Sequence, residues 1–462
     1  MNKLLPLFCA CAISGCSFIP DYLRPAAPVP QAWPEKVGAG GMATAMTSEE
    51  WRGYFTDASL QVLIAAALEH NRDLRIALAR VEEARALAGI ARADRFPTVD
   101  VGLQQQAAKT PADLSGTGRE TINRRYDANL GVAAFELDFW GRVKSLDTAA
   151  RASFLASEYA QRAFRLSLIA DVAGAYYSLV ELEARTRLAE ATVKSRGDSR
   201  HLVEKRRDVG LATDLDYLAA DGAYQGARAE LANLSRQRNA AENALRLLVG
   251  RDYALPPAPS FAALPELAAG LPAEVLLRRP DVLAAEQRLL ASNANIGAAR
   301  AAFFPKITLT MLAGSASSAL SGLFDGGSGA WSFVPMLRLP LFDAGRREAN
   351  VDLAEARKNV AVSEYERTIQ QAFRETADLL AARAYYAEQM AALEAAEIAQ
   401  KERLKRVDAR YQAGVSSYLE LLDAQREHFA AQQAALATRR ALWATSASLF
   451  KALGGGGEIP GT

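Results

Sequence analysis

The 462-residue sequence has little of what most protein chemistry needs. Three histidines and three cysteines are too few for a rich metal or redox chemistry. Neither sign of charge prevails: 54 basic against 53 acidic residues leave a net charge of +1, so there is no basic footprint for nucleic acid. At 50 % apolar and 23 % charged the chain is too hydrophobic for a disordered one. Beyond the N-terminus no segment approaches 18 uninterrupted apolar residues, which argues against a membrane-spanning helix, so a bilayer crossing falls to strands. What is abundant is alanine, roughly a fifth of the chain. Alanine is the best helix former and lets helices approach closely, so long, tightly spaced helices are expected in place of the roughly three globular domains that length alone suggests.

An enzyme is not expected. His70, His201 and His428 are scattered on helical segments without ligand spacing. Gly326-Gly327 and Gly454 to Gly457 lack the strand-turn-helix setting and the following Lys-Ser/Thr of a phosphate-binding loop. No cofactor is called for.

The N-terminus sets the compartment. Lys3 precedes a short apolar run from Leu4 to Ile13 that ends in Ser14-Gly15-Cys16. This is the layout of a secretory signal, too short to span, and a cysteine after Ser-Gly resembles the lipobox of bacterial lipoproteins. Residues 1–15 then read as the signal, Cys16 as the first mature residue bearing N-acyl and S-diacylglycerol lipid, and 16–50 as a lipidated extended segment. Cys9 and Cys11 leave with the signal. Ser17 after the cysteine resembles the outer-membrane sorting pattern.

The remainder is two copies of one plan. Leu74 to Pro97 matches Val282 to Pro305 without a gap, with the same Ala-Arg-Ala-x-x-Phe-Pro ending. Further on, Gly141-Arg142 pairs with Gly345-Arg346, Gly210 with Gly414, and Gly250 with Gly454. The offset is 208 residues at Phe-Pro and 204 at the three later pairs. Only the stretch between Phe-Pro and Gly-Arg changes length, as an exposed loop can. Repeat 1 is placed at 51–250 and repeat 2 at 273–454, joined by a proline- and alanine-rich segment at 251–272 and followed by a tail at 455–462.

No proline interrupts Gly141 to Gly250 or Gly345 to Gly454. Each stretch reads as a helix spanning roughly 100 Å at 1.5 Å per residue, a glycine turn, and a returning helix of about 35 residues. The turns are Val209-Gly210-Leu211-Ala212-Thr213-Asp214 and Ala413-Gly414-Val415-Ser416-Ser417-Tyr418. Glycine supplies the left-handed cap, and Thr213, Asp214 or Ser417 can cap the next N-terminus. Between Phe-Pro and Gly-Arg the pattern alternates instead, predicting strands at about 97–108, 126–137, 305–314 and 331–340, with Tyr126, Trp331 and Phe333 near strand starts. Such alternation with aromatic ends is the signature of outer-membrane barrel strands. The polar connections Lys109 to Arg125 and Gly314 to Ala330 suit exposed loops. Four strands cannot close a barrel, and an open edge in lipid leaves backbone groups unsatisfied. Three chains would close a twelve-strand barrel. The expected fold is therefore mostly α with a membrane β-barrel, an internal two-fold repeat of strand pair plus long helical hairpin, closed as a homotrimer.

Leu277-Arg278-Arg279-Pro280-Asp281-Val282 after Gly270-Leu271-Pro272, then Ala285-Glu286 and Ala299 to Pro305, resemble the TolC-like outer-membrane factors, in particular their lipidated NodT/OprM-type branch. Leu341-Phe342-Asp343-Ala344-Gly345-Arg346 and Tyr418 to Arg426 are also like that branch. The resemblance implies a homotrimeric channel-tunnel, its helices forming a periplasmic barrel below the outer-membrane one. It implies docking to a periplasmic adaptor and to an inner-membrane transporter, most often of the resistance-nodulation-division type. The exit duct of a tripartite efflux system for drugs or other toxic small molecules is the expected function. The alternatives are the duct of a type I protein secretion system and a non-conducting lipid-anchored trimer.

A tunnel needs a gate, and the hairpin tips are the place for it. Leu419 and Asp423, four apart, share a helical face; three-fold symmetry would make a leucine ring, which obstructs by dewetting, beside a carboxylate ring that prefers cations. The resemblance places Leu419 and Asp423 at the constriction, Arg426 as a nearby basic residue and Glu420 as an additional pore carboxylate. It also pairs Tyr411 with Asp214 as a lock between neighbouring tips, with Ser416 standing where the family has an arginine. The turns themselves, Val209, Gly210, Leu211, Ala212 and Thr213 with Gly414, Val415, Ser416 and Ser417, are the expected adaptor contacts.

Overall fold

A computed structural model describes residues 17–30, 51–253, 261 and 273–455. The expected signal, the acylation site Cys16, most of the 251–272 connection and the tail beyond Gly455 lie outside the described residues. The elements run α1 (Trp51–Tyr54), α2 (Ala58–His70), α3 (Arg72–Ala93), β1 (Val99–Thr110), β2 (Thr121–Glu136), α4 (Arg142–Asp208), α5 (Asp214–Val249), α6 (Pro280–Ala301), β3 (Lys306–Ser317), β4 (Gly329–Arg338), α7 (Arg346–Gln412) and α8 (Tyr418–Ala452). The chain divides into two compact units, one containing Arg80–Glu158 and Ala284–Tyr365 with residues 17–26, the other Tyr159–Leu283 and Glu366 onward with residues 51–79.

In the first unit the four strands form one antiparallel sheet in the order β1-β2-β3-β4. Its register sorts the side chains. Val99, Val101 and Leu103 face Val132, Leu130 and Ala128; Leu130 and Val132 face Ala313 and Met311; these face Trp331 and Phe333. Cross-strand partners share a face, so one face is apolar from edge to edge. The other carries Asp100, Gln104, Asn129, Asp127, Thr308, Thr310 and Arg338, with Leu312, Val334 and Met336 among them, and is mainly polar. A bulge between Val132 and Phe135, with Ala134 at φ 53°, interrupts β2 against β3.

The strands outrun their sequence signal. β1 continues to Thr110 and β2 begins at Thr121, so Tyr126 lies inside β2 and the connection expected from Lys109 to Arg125 shrinks to 111–120. Lys109 faces Ile122 and Thr110 faces Thr121 there, a polar extension where apolar alternation fades although pairing goes on. Likewise β3 runs to Ser317 and β4 begins at Gly329. Residues 17–24 lie extended along α6. Phe18 stacks on Phe304 at 4.7 Å, Asn293 donates to the Pro20 carbonyl at 2.8 Å, and Tyr22 and Arg24 both donate to Glu286.

The second unit holds the main apolar core. Trp51, Tyr54, Phe55, Leu60 and Ile64 pack with Leu166 to Val180 of α4, Leu245 and Val249 of α5, and Phe450 of α8. The most apolar 18-residue stretch of α4 has mean hydropathy 1.2 and is 56 % buried, as a core helix is. The Arg-Arg-Pro-Asp string finds its reason here: the Arg279 side chain is 5 % exposed and donates to Asp281 at 2.8 Å, Glu375 at 2.9 Å and the Ala452 carbonyl at 2.9 Å. Breaking such a buried network by removing one partner is strongly destabilising.

The repeat survives in the backbone. α4 and α7 are both 67 residues, and their returning partners α5 and α8 are 36 and 35. All three matched glycine pairs have positive φ, between 69° and 82°. An L side chain there costs roughly 1–2 kcal/mol, which explains why the glycines keep their spacing.

Candidate functional site

Both hairpins turn in the same way. At the end of α4, Leu211 N–H donates to the Arg206 carbonyl at 2.7 Å and Gly210 N–H to that of Arg207 at 2.9 Å. At the end of α7, Val415 N–H donates to Arg410 at 2.9 Å and Gly414 N–H to Tyr411 at 3.0 Å. This is the Schellman arrangement, in which the glycine beyond the last helical residue takes the left-handed conformation; φ is +78° at Gly210 and +74° at Gly414. The next helix is capped at once. Thr213 Oγ1 accepts from Asp216 N–H at 3.1 Å while Thr213 N–H donates to the Asp216 carboxylate at 3.0 Å, a closed capping box. Ser417 Oγ accepts from Glu420 N–H at 3.2 Å. Asp214, a candidate cap, is instead the first residue of α5.

One apolar cluster joins the tips. Val203, Ala220, Val407, Tyr418, Leu421 and Ala424 are buried together, with Ala212, Tyr217 and Tyr411 against them. Above it the arms of the first hairpin are laced by arginine and tyrosine. The Arg207 guanidinium lies 4.3 Å from the Tyr217 ring, and Arg200 lies between Tyr217 at 5.5 Å and Tyr224 at 5.9 Å. Arg200 also donates to the Tyr217 hydroxyl at 2.8 Å and pairs with Asp221 at 2.7 Å.

The second hairpin is laced by charge. Asp423 accepts from Arg403 of α7 at 2.8 Å and from Arg426 at 2.9 Å. The Arg403 hydrogen bond, helped by the charges of Arg403 and Arg426, holds its carboxyl below the usual range. Leu419, one turn earlier, is 69 % exposed. Glu420 is used differently from Asp423: Ser416 donates to its carboxylate and Arg410 stands 3.8 Å away, so it closes the turn. Among the described residues no hydrogen bond joins Tyr411 to Asp214. Tyr411 lies under Arg206 at 5.2 Å and beside Tyr418 at 5.9 Å. Asp214, with a side chain 89 % exposed, approaches Arg207 at 4.0 Å.

The turn residues divide by exposure. Val209, Leu211 and Val415 are exposed apolar side chains, whereas Ala212 packs inward and Thr213, Ser416 and Ser417 are engaged in their own turns. Leu215 and Leu218 extend the exposed apolar surface of the first tip; they were not anticipated. Arg403 was also missed, although it and Asp423 stand at similar distances from Gly414 on opposite arms. Among the described residues no group of three or more His, Cys, Asp and Glu side chains could hold a metal ion.

A two-faced antiparallel sheet, long paired helical hairpins and a duplicated plan define the class: an outer-membrane channel of the TolC-like fold. The outer membrane efflux protein family model matches residues 63–251 and 271–455, and the chain belongs to that family. It is 44 % identical over 467 residues to the toluene efflux pump outer membrane protein TtgI of Pseudomonas putida, covering 99 % of both chains. It is 46 % identical over 457 residues to outer membrane protein OprJ of Pseudomonas aeruginosa, covering 97 % of this chain and 95 % of that one. A crystal structure of a membrane protein from Pseudomonas aeruginosa is similar with a TM-score of 0.90 at 45 % identity, over 96 % of this chain and 98 % of the other. The protein is an outer-membrane efflux protein, a transport component in the outer membrane.

Proposed function

We propose that three copies close a twelve-strand barrel and serve as the passive exit duct of a tripartite efflux pump for small toxic molecules, organic solvents and drugs among them. The observation that carries this reading is the sheet, apolar on one face, bearing all but a few of its polar and charged partners on the other, with an unpaired strand at each edge. Lipid on the apolar face and water on the polar face satisfy both, and closure satisfies the edges. Cys16 carries the lipid anchor. A periplasmic adaptor docks on the exposed tip residues Val209, Leu211 and Val415, and a proton-driven transporter of the resistance-nodulation-division type loads the duct. Gly210, Ala212, Thr213, Gly414, Ser416 and Ser417 shape those tips.

The gate lies at the second hairpin. Three Leu419 side chains narrow the entrance and three Asp423 carboxylates set its cation preference, Arg426 and Arg403 keeping each carboxyl ionised. Glu420 acts through the turn. Opening requires that the adaptor bind the open tips more tightly than the closed ones. In planar-bilayer recordings at neutral pH, Asp423→Ala is expected to reduce cation selectivity and Leu419→Ala to raise conductance. Unchanged reversal potential and conductance in both would overturn the gate.

A further inference from the structure

Closure of three chains leaves open which residue of one edge strand meets which residue of the other. The internal repeat answers this. Because β1 and β3 are equivalent, and β2 and β4 are equivalent, the junction between β4 of one chain and β1 of the next repeats the β2·β3 junction already present inside each chain. The ungapped match through Pro97 and Pro305 makes Leu103 the counterpart of Met311 and Val101 that of Leu309. Val99 faces Val132, and its counterpart Ile307 faces Leu337, so Leu337 is the counterpart of Val132. The spacing to Gly141 and Gly345 makes Leu339 the counterpart of Phe135. Inside the chain Val132 faces Met311 and Phe135 faces Leu309.

We infer that in the assembled barrel Leu337 faces Leu103 of the next chain and Leu339 faces its Val101, with Arg338 opposite its Gly102 and reaching diagonally to its Asp100. The inference rests on the trimeric closure proposed above. Val132 on one side of the β2 bulge and Phe135 on the other lead to the same alignment. The apolar face then continues across the seam without a break. On the polar face Arg338 is the only charged residue of β4, and Asp100 the only charged residue that β1 presents there. Among the described residues neither forms an ion pair within its own chain. Diagonal cross-strand neighbours lie about 7–8 Å apart, within reach of a long side chain, and Gly102 puts no side chain in the way. A one-residue slip would bring Arg338 to the lipid face of its partner, and a two-residue slip one way would set it opposite Gln104, away from Asp100. A two-residue slip the other way would keep Leu339 on a valine, Val99, and set Arg338 opposite Asp100, so against that alignment stand the repeat equivalence and the cross-linking below.

Disulfide cross-linking tests this, since two cysteines bridge only when their Cα atoms are within about 7 Å. Leu103→Cys with Leu337→Cys, expressed in the outer membrane and oxidised, should give covalent dimers and trimers on a non-reducing denaturing gel. The yield should exceed that of the shifted pairs, Leu103→Cys with Pro335→Cys or with Leu339→Cys, by about tenfold. Native mass of the purified wild type is measured alongside. A stronger ladder from either shifted pair, or none from any pair in a protein of trimeric mass, overturns the register while leaving the trimer. A wild-type mass other than three chains overturns the closure itself. As a check free of cysteine, Asp100→Arg should lower the temperature at which the trimer dissociates, and the swap Asp100→Arg with Arg338→Asp should restore it; failure of the swap to restore counts against the Arg338–Asp100 pair.

Discussion

The first hairpin tip, at Gly210, and the second, at Gly414, have the same turn hydrogen bonds, the same left-handed glycine and a hydroxyl cap three residues later, yet different side chains tie their arms together. In the first, arginine guanidiniums sit on tyrosine rings, with a close ion pair between the arms, Arg200 to Asp221 at 2.7 Å. In the second, Arg403 and Arg426 bracket one carboxylate. Cation–π contacts depend on shape and packing as well as charge, whereas exposed ion pairs are screened by salt. Equal backbones have therefore been given unequal sensitivity to the surrounding solution. The more sensitive tip, held by charge with no tyrosine ring over Arg403 or Arg426 among the described residues, is the one that carries Leu419 and Asp423.

The largest effect that would break this contrast is expected from Tyr217→Ala. It removes the ring and hydroxyl that engage Arg200 and Arg207, and one wall of the cluster between the tips. Hydrogen exchange at the amides around Gly210 should accelerate by roughly tenfold to a hundredfold, with a smaller change around Gly414. Equal acceleration at both tips would mean that the ladder belongs to neither hairpin in particular. Next come Gly210→Ala and Gly414→Ala, each forcing a side chain into the left-handed region at a cost of about 1–2 kcal/mol. Because nothing crowds either glycine, the two should lower local stability alike, and a large difference would show that the turns are less equivalent than their angles.

The smallest effects separate the tips by solution conditions. Raising salt to about 1 M, where the screening length is about 3 Å, should speed exchange at the second tip more than at the first, where the Arg200–Asp221 pair is backed by the tyrosine rings. Acid acts on both. Asp216 and Asp423 have folded-state pKa values below the usual range, Asp216 because Thr213 N–H and its hydroxyl donate to it and Asp423 because Arg403 does. Carboxyls depressed in this way contribute stability above their unfolded pKa, about 3.9, and lose it as pH falls through the lower folded value. Exchange at both tips and the cation selectivity should therefore hold from pH 7 to about 4 and fail only in stronger acid; failure near pH 6 would point to another group.

What the sequence disclosed follows from the range of the interaction involved. The glycine spacing showed the hairpins because a positive φ leaves glycine almost no competitor. The strand ends were misplaced because alternation marks a strand only where one of its faces is apolar, and Lys109, Thr110 and Thr121 go on pairing where that pattern fades. Glu420 is placed as a pore carboxylate by resemblance because a matched position carries no record of its partners, and here Ser416 with Arg410 takes it into the turn. The tyrosine ladder did leave a trace. Arg200 and Arg207 are seven apart, as are Tyr217 and Tyr224, the interval at which two packed helices repeat their contacts.

The bulge at Ala134 has a further consequence. It lies in β2, against β3 of the same chain, while the counterpart stretch at the end of β4, from Leu337 to Leu339, is one residue shorter than that from Val132 to Phe135 and leaves no room for a bulge against β1 of the next chain. Since a bulge sharpens local twist, a closed barrel built from six equivalent strand pairs would not be six-fold in outline. Kinked staves would alternate with straight ones, the kinks falling at the joints made during synthesis and the straight runs at the joints made by assembly. The duplication that built the chain would then remain written in the cross-section of the pore as a triangle.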